Sequence, residues 1–223
     1  ADRMSGSQRA RPVKRGKFIS VEGGEGAGKS TNIAVVREIL DCSGLNVVVT
    51  REPGGTPLAE DIRAVLLARR EERMCDSTEL LLVCAARVQH VQMVIEPALA
   101  RGDWVISDRF GDATLAYQGA GRGMDTRAIL ELHKLLLGEF APDLTLLLDV
   151  PVAAGMQRMQ ARGDPDRFEI EDEAFFERIR ACYLDLAHAQ PERFRIIDAG
   201  RALVEVERSV RAVMQDFLDR HNV

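Results

Sequence analysis

Residues 18–31, FISVEGGEGAGKST, decide the fold of this chain. Their first residues form a short apolar run that predicts a buried strand, and a glycine-rich loop follows it. The segment 33–40 then carries apolar residues at helical spacing and predicts a helix. The loop fits the P-loop pattern G-x-x-x-x-G-K-[ST] at Gly23, Gly28, Lys29 and Ser30.

Each residue type in this loop suits the binding of phosphate. Glycines let backbone N–H groups turn towards phosphate oxygens, and the helix N-terminus adds partial positive charge. Lys29 is placed to reach the β- and γ-phosphates of a nucleoside triphosphate, and the Ser30 hydroxyl to meet Mg²⁺. A glycine-rich turn that binds nothing is the alternative, which the strand before and the helix after make less favourable.

Composition narrows the class of protein. The chain has 223 residues, 46% of them hydrophobic, and a net charge of −5, so it has the length of one α/β domain and is a poor candidate for coating nucleic acid. No apolar run approaches the roughly 20 residues that span a bilayer. Its four cysteines show no C-x-x-C spacing, which indicates a reducing compartment and therefore a cytoplasmic protein without a disulfide framework.

Strands and helices alternate along the chain, which predicts a parallel, three-layer α/β fold. Residues 1–16 are polar and basic and predict a disordered leader, with a basic arm for nucleic acid as the alternative; residues 17–223 form the single domain. After the first strand, we expect strands at 46–50, 104–107, 144–148 and 194–197. We expect helices at 57–67, 78–95 (capped by Ser77), 126–137 (capped by Asp125), 152–161, 173–189 and 203–221, and a short helix that breaks into a glycine-rich loop within 111–123.

Several arginines stand where an anion could bind. Arg87 falls on the apolar stripe of the helix 78–95, so it needs a carboxylate, a carbonyl or a phosphate as its partner. A structural salt bridge and a ligand contact are equally compatible with that position. Asp108 and Arg109 directly follow a strand, at the edge of the sheet where ligands of α/β proteins bind.

A second group of arginines follows the helix 152–161. Arg158 and Arg162 share one face of that helix, Arg167 lies just beyond it, and the intervening Gly-Asp-Pro predicts a mobile flap. Either this is a solvated basic face or it is an anion clamp. Because the P-loop contains no arginine, the flap is the obvious source of one for the γ-phosphoryl group. The residues alone thus indicate a small-molecule kinase whose acceptor is itself phosphorylated.

Seven stretches give a more specific resemblance. They are VEGGEGAGKST (21–31), TREPGGT (50–56), TELLLVCAARVQH (78–90), SDRF (107–110), AYQGAGRG (116–123), PDLTLLLDV (142–150) and RMQARGDPDRFE (158–169). In these the chain resembles the bacterial thymidylate kinases. The resemblance implies transfer of the γ-phosphoryl group of ATP to dTMP with Mg²⁺, a P-loop kinase fold with a five-stranded parallel sheet, a LID at about 158–170, and, as is common in the family, a homodimer packed through helices. From the net charge and the lack of a long apolar run we expect no nucleic-acid partner and no membrane.

The resemblance also implies roles for individual residues. The catalytic group is Lys29, Arg51, Asp108 and Arg162. The ATP site is formed by Gly23, Gly26, Gly28, Lys29, Ser30, Thr31 and Arg158, and the metal site by Ser30 and, through water, Asp108. The dTMP site is formed by Glu25, Arg51, Val83, Arg87, Arg109, Thr114, Tyr117 and Gln118.

Within the dTMP site the resemblance assigns contacts. Glu25 meets the 3′-hydroxyl group of the sugar, Arg87 hydrogen-bonds the thymine carbonyl, and Tyr117 crowds the ribose 2′ position. Val83 departs from the family pattern, which often has a phenylalanine there that stacks on thymine. Either Val83 supplies only apolar contact or another aromatic residue, such as Phe110, takes over.

Two other functions share parts of this pattern. A kinase for another nucleoside monophosphate would use the same phosphate-binding residues. A non-catalytic nucleotide-binding switch would use the P-loop, but it has no need for a second anion site at Arg51, Arg87 and Arg109.

Overall fold

The computed structural model describes residues 14–161, 163 and 166–223. A sheet of five parallel strands, in the order β2-β3-β1-β4-β5, lies at its centre. The strands are β1 (Phe18–Glu22), β2 (Val47–Arg51), β3 (Trp104–Asp108), β4 (Leu144–Asp149) and β5 (Phe194–Asp198). The predicted parallel sheet is confirmed, with ends that differ from the predicted ones by one residue.

Nine α-helices are present in the described part; eight lie between the strands and the ninth follows β5. They are α1 (Lys29–Cys42), α2 (Pro57–Leu67), α3 (Asp76–His90), α4 (Glu96–Ala100), α5 (Gly111–Thr114), α6 (Thr126–Leu137), α7 (Val152–Gln160), α8 (Glu173–Ala189) and α9 (Leu203–His221). Two π-helical segments, Val91–Ile95 and Leu115–Gly121, continue α3 and α5. The predicted bounds of α2, α6, α8 and α9 are confirmed, and Asp125 caps α6 as expected because its side chain accepts a hydrogen bond from the Arg127 N–H.

Successive side chains of each strand point to opposite faces of the sheet, and helices pack against both faces to give three layers. Ile19 and Val21 of β1 belong to a core formed with α1 and α9. Phe18, which points to the other face, packs with the segment 91–99 and with Phe110. Both faces of the sheet are therefore covered, which explains why the strands read as continuous apolar runs.

The helix predicted at 78–95 differs from the observed one at both ends. α3 begins at Asp76 and its N-cap is Cys75, not Ser77. After His90 the chain widens into the π-helical segment Val91–Ile95. Pro97 follows within the next turn and lacks the N–H that would bond the Met93 carbonyl, so regular α-helical pairing cannot continue there.

The predicted glycine-rich loop within 111–123 is wrong for residues 115–121, which stay helical as a π-segment. Packing explains this, because the segment lies buried against α8. A Cβ on Gly121 would come within 2.6 Å of the Phe175 ring. This glycine therefore serves close helix packing rather than a turn.

Of the predicted leader, residues 1–13 lie outside the described residues, and residues 14–16 contact the domain. The Gly16 N–H donates to the Leu99 carbonyl at 2.9 Å, and the Lys14 ammonium group to the His221 carbonyl at 3.2 Å. Among the described residues, one helical stretch, Asp76–Ala100, is long and apolar enough to cross a membrane. Half of its most apolar window is buried inside the protein, as in the core helix of a soluble domain, so it is weak evidence for a span.

Candidate active site

The P-loop lies at the carboxyl edge of the sheet, between β1 and α1. Gly23, Gly26 and Gly28 all have positive φ angles, of 141°, 69° and 83°. Gly26 also lies directly against the Gly155 backbone of α7, where any Cβ would collide. The glycines predicted from the pattern are therefore required by the backbone, and α7 with Gly155 supports the loop from behind.

Lys29 begins α1 and turns back over the loop. Its ammonium group donates to the Gly24 carbonyl at 3.0 Å and to the Gly23 carbonyl at 3.3 Å. Burial, together with the positive charge of Arg109, lowers the pKa of Lys29. Ser30 and Thr31 occupy the first turn of α1, where backbone N–H groups are unpaired within the helix.

A cleft of about 730 Å³ opens in front of the P-loop. It brings together nearly all of the site residues predicted from the sequence. These are Glu25, Gly26, Gly28, Lys29, Ser30, Thr31, Arg51, Val83, Arg87, Asp108, Arg109, Thr114, Tyr117, Gln118 and Arg158. Gly23 lies behind the cleft, on a small neighbouring cavity, and Arg162 lies outside the described residues.

Arg109 is held in an unusual backbone conformation beside the P-loop. Its φ is 70°, a region that non-glycine residues rarely adopt and that costs about 1–3 kcal/mol. Its guanidinium group donates to Glu25 at 2.6 Å and to the Gly23 carbonyl at 3.0 Å, and it lies over the Tyr117 ring at 4.7 Å. The Tyr117 hydroxyl donates to the same Glu25 oxygen at 2.8 Å. Three predicted residues thus form one connected group.

Arg87 is buried, as its place on the apolar stripe of α3 requires. Its Nε donates to Glu52 at 2.6 Å and its Nη2 to the Phe110 carbonyl at 3.2 Å. The other Glu52 oxygen pairs with His90 Nδ1 at 3.0 Å. A structural salt bridge is therefore present, but Nη1 has no hydrogen-bond partner in the described part of the chain and Arg87 lines the cleft. The salt bridge, one of the two alternatives, is therefore observed, and the ligand contact stays a prediction.

Arg51 and Arg63 add positive charge on the side of the cleft formed by β2 and α2. Arg51 is half exposed and pairs with Glu60 at 2.7 Å. Arg63, which the sequence analysis missed, donates to the Pro53 carbonyl at 3.0 Å, and no carboxylate of the described residues lies within 4.0 Å of it. Burial and the charge of Arg51 lower the pKa of Arg63. Helical spacing from the buried Ala59 and Leu66 is the signal that could have found it.

The far end of the cleft is lined by α3 and the π-helical segment 115–121. Val83, Thr114 and Gln118 lie there, and all three are buried. The Thr114 hydroxyl is buried without a hydrogen-bond partner among the described residues. Phe110 also lines the cleft, although most of its ring packs against Phe18 and Phe140. Val83 and Phe110, on which the two alternatives for the thymine contact rest, therefore both line the cleft.

Asp108 ends β3 beside the P-loop. Its Oδ1 is buried and accepts no hydrogen bond from the described residues. Such an oxygen suits a hard cation, and the Ser30 hydroxyl lines the same cleft. The described residues contain no group of three or more His, Cys, Asp or Glu side chains that could hold a metal ion.

Glu22 is a buried carboxyl group that the sequence analysis did not single out. It accepts hydrogen bonds from the Phe110 N–H at 2.6 Å and from the Tyr183 hydroxyl at 2.7 Å. Burial, reinforced by the negative charge of Asp112, raises the pKa of Glu22 to about 8. Its hydrogen bond with the Phe110 N–H holds the backbone in place at Arg109 and Phe110.

The segment predicted as the LID lies over the cleft where it is described. Arg158 donates to the Gly26 carbonyl at 3.3 Å and to the Ala199 carbonyl at 3.1 Å. Arg167 donates to Glu79 of α3 at 2.7 Å and to the Leu66 carbonyl of α2 at 2.8 Å. The Phe168 ring meets Tyr117 edge-on at 5.9 Å. The described residues of this segment therefore contact both the P-loop and the helices α2 and α3.

Comparison with known proteins gives one consistent result. The sequence model of the thymidylate kinase family matches residues 21–210. The chain is 55% identical to the thymidylate kinase of Alcanivorax borkumensis over 91% of its length and 97% of that protein, and 51% identical to that of Teredinibacter turnerae over 91% and 99%. A crystal structure of thymidylate kinase from Ehrlichia chaffeensis matches with a TM-score of 0.72 at 33% identity, over 90% of this chain and 99% of that one.

Proposed function

We propose how the cleft works from one premise: the chain belongs to the thymidylate kinase family. It is an ATP-dependent phosphotransferase that converts dTMP into dTDP, and its sheet and helices have the P-loop kinase architecture of that family. One continuous cleft that extends from the P-loop to Arg87 and Gln118 supports this function most directly. A kinase for another base and a nucleotide switch are not favoured by the family match.

On the donor side, we assign ATP to the P-loop. Lys29 and the N-terminus of α1 bind the β- and γ-phosphates, with Ser30 and Thr31 on the first turn. Arg158 borders the same loop, and its contact with the Gly26 carbonyl supports a place beside the donor nucleotide. Mg²⁺, held by Ser30 and through water by Asp108, would neutralise charge on the phosphates.

On the acceptor side, Arg51, Arg63 and Arg109 bind the phosphate of dTMP. An oxygen of that phosphate forms the new bond to the γ-phosphorus of ATP while the bond to the β,γ-bridging oxygen breaks. Both reactants are anions, so cations on either side must offset their repulsion. Arg162 of the LID is proposed to reach the transferring group, within a single domain at 17–223 whose LID is about 158–170.

The nucleoside of dTMP fits the far end of the cleft. The Nη1 group of Arg87, which has no hydrogen-bond partner among the described residues, can donate to a thymine carbonyl, and Thr114 and Gln118 line the same pocket. Glu25, fixed by Arg109 and Tyr117, can accept from the sugar 3′-hydroxyl. Tyr117 stands beside it, where a ribose 2′-hydroxyl would be crowded. Val83 contributes apolar contact only.

We also propose a homodimer that works in the cytoplasm without membrane or nucleic acid. Apolar side chains are exposed on the neighbouring helices α2, α3 and α6, among them Leu58 (52%), Leu81 (60%) and Leu130 (53%). All four cysteines are free, in keeping with a reducing compartment. Light scattering on a sizing column tests the dimer, and a monomer mass at micromolar concentration would contradict it.

ADP release tests the proposed function. ATP and Mg²⁺ are supplied with dTMP, dUMP, dCMP, dGMP, dAMP or UMP in separate reactions, and Lys29→Met serves as the inactive control. We expect turnover with dTMP well above the others. Preference for another acceptor would overturn the base assignment, and a lack of acceptor-dependent turnover would overturn the kinase.

A further inference from the structure

A buried carboxylate lies next to the far end of the cleft, the base pocket lined by Val83, Arg87 and Gln118. It has no role in the proposed mechanism. Glu79 of α3 is 1% exposed and lies outside the cleft lining. Its Oε1 accepts a hydrogen bond from Gln118 Nε2 at 2.8 Å. Arg122 and Arg167 approach the same carboxylate at 3.3 Å and 2.7 Å. Two guanidinium groups therefore hold Glu79 in place beside a residue of the base pocket.

We propose that Glu79 is a positioning residue for base selection, because its hydrogen bond fixes which end of the Gln118 amide faces the cleft. A carboxylate between two arginines acts as an acceptor, so it must face the NH₂ end of the amide. The carbonyl Oε1 of Gln118 is then left for the cleft, and no described residue donates to it. The inference rests on the proposed function, since it concerns the acceptor base.

The fixed amide completes a pattern that distinguishes bases. Arg87 offers a donor to the cleft and Gln118 offers an acceptor. A base with a carbonyl group next to a ring N–H, such as thymine or uracil, matches both. Cytosine places an amino group and an unprotonated ring nitrogen at those positions, so both contacts are mismatched. A buried site built for one hydrogen-bond pattern rejects the opposite pattern strongly.

The replacement Glu79→Gln tests this inference. An amide at position 79 can present either its oxygen or its NH₂ group, so Gln118 is no longer forced into one orientation. We expect the ratio of kcat/KM for dTMP to that for dCMP to fall at least tenfold, with a higher KM for dTMP and a KM for ATP that stays within twofold. Arg87 still favours thymine, so the preference narrows and does not reverse.

Glu171→Gln is the matched control. Glu171 pairs with Arg122 but does not contact Gln118, so this variant removes a negative charge from the same cluster and leaves the amide held. We expect its dTMP-to-dCMP ratio to stay within twofold of the wild type. An unchanged ratio in folded Glu79→Gln, or an equal fall in both variants, would overturn the inference.

A measurement on the unaltered protein covers the case in which Glu79→Gln does not fold. The Gln118 side-chain NH₂ signal is assigned in a ¹⁵N spectrum with Gln118→Met. We expect slow hydrogen exchange of this group and little shift when dTMP binds, because it faces Glu79. An NH₂ group that exchanges rapidly or shifts strongly with dTMP would refute the orientation. Failure of wild-type turnover with dTMP would instead refute the proposed function, and this inference with it.

Discussion

Two arginine–carboxylate pairs of the cleft have nearly the same length but very different burial. Arg87 and Glu52 are 2.6 Å apart and are 5% and 4% exposed. Arg51 and Glu60 are 2.7 Å apart and are 53% and 38% exposed. If burial decides the energetics, replacing each arginine by methionine should have very different effects on the free energy of unfolding.

The expected magnitudes follow from what each replacement leaves behind. Arg87→Met leaves the Glu52 charge buried without its cation, which costs about 3–5 kcal/mol. Arg51→Met leaves Glu60 in contact with water and costs at most about 1 kcal/mol. For a chain of this size the first change lowers Tm by roughly 6–20 °C.

Urea unfolding of the ligand-free protein, followed by circular dichroism at neutral pH, measures both values. The double variant Glu52→Gln/Arg87→Met removes both charges and should recover part of the loss, since no buried charge is then unpaired. Equal destabilisation by Arg87→Met and Arg51→Met, within about 1 kcal/mol, would refute the argument from burial.

Three further predictions concern catalysis, sugar choice and pH. Arg162→Ala should lower kcat about 100-fold with little change in ATP affinity, because such an arginine acts mainly in the transition state; steady-state kinetics with an unchanged kcat would remove it from the mechanism. Tyr117→Ala should raise turnover of UMP relative to dUMP, whereas Tyr117→Phe should keep the deoxy preference; an unaltered ratio in the alanine variant places the filter elsewhere. Folded protein holds the Glu22 proton more tightly than unfolded protein, whose carboxyl has a pKa of 4.5, so the contribution of Glu22 to stability falls as pH rises towards about 8. Between pH 4.5 and about 8, the free energy of unfolding of Glu22→Gln, measured with urea, should rise relative to that of the wild type by at most about 1.4 kcal/mol per pH unit. A constant difference between the two free energies over this pH range would contradict the prediction.

The sequence predicted the fold well because its signals are local. Apolar runs, glycines and capping residues lie within a few positions of the elements that they define, as at Gly28 and Asp125. The end of the helix predicted at 78–95 was wrong although its cause, Pro97, is local. The error at 115–121 has a different cause, because packing between distant segments overrides local preference there. The local sequence around Gly121 predicts a loop, and only the contact with Phe175, 54 positions later, explains why the residue is helical.

Partners of the site residues were harder to predict for the same reason. Periodicity showed that Arg87 needs a partner, but Glu52 lies 35 positions away on another element. Glu79 belongs to one of the quoted stretches, yet its place behind Gln118 depends on how α3 meets the π-helical segment. Arg63 carried the same periodic signal as Arg87 and could have been found.

A crystal structure with dTMP and ADP bound would show whether the cleft holds both nucleotides as proposed. We expect the dTMP phosphate within hydrogen-bond distance of Arg51, Arg63 or Arg109, the thymine carbonyl next to Arg87 Nη1, and the ADP phosphates at Lys29. A thymine ring outside the pocket formed by Val83, Arg87 and Gln118, or a dTMP phosphate held away from all three arginines, would refute the proposed binding mode.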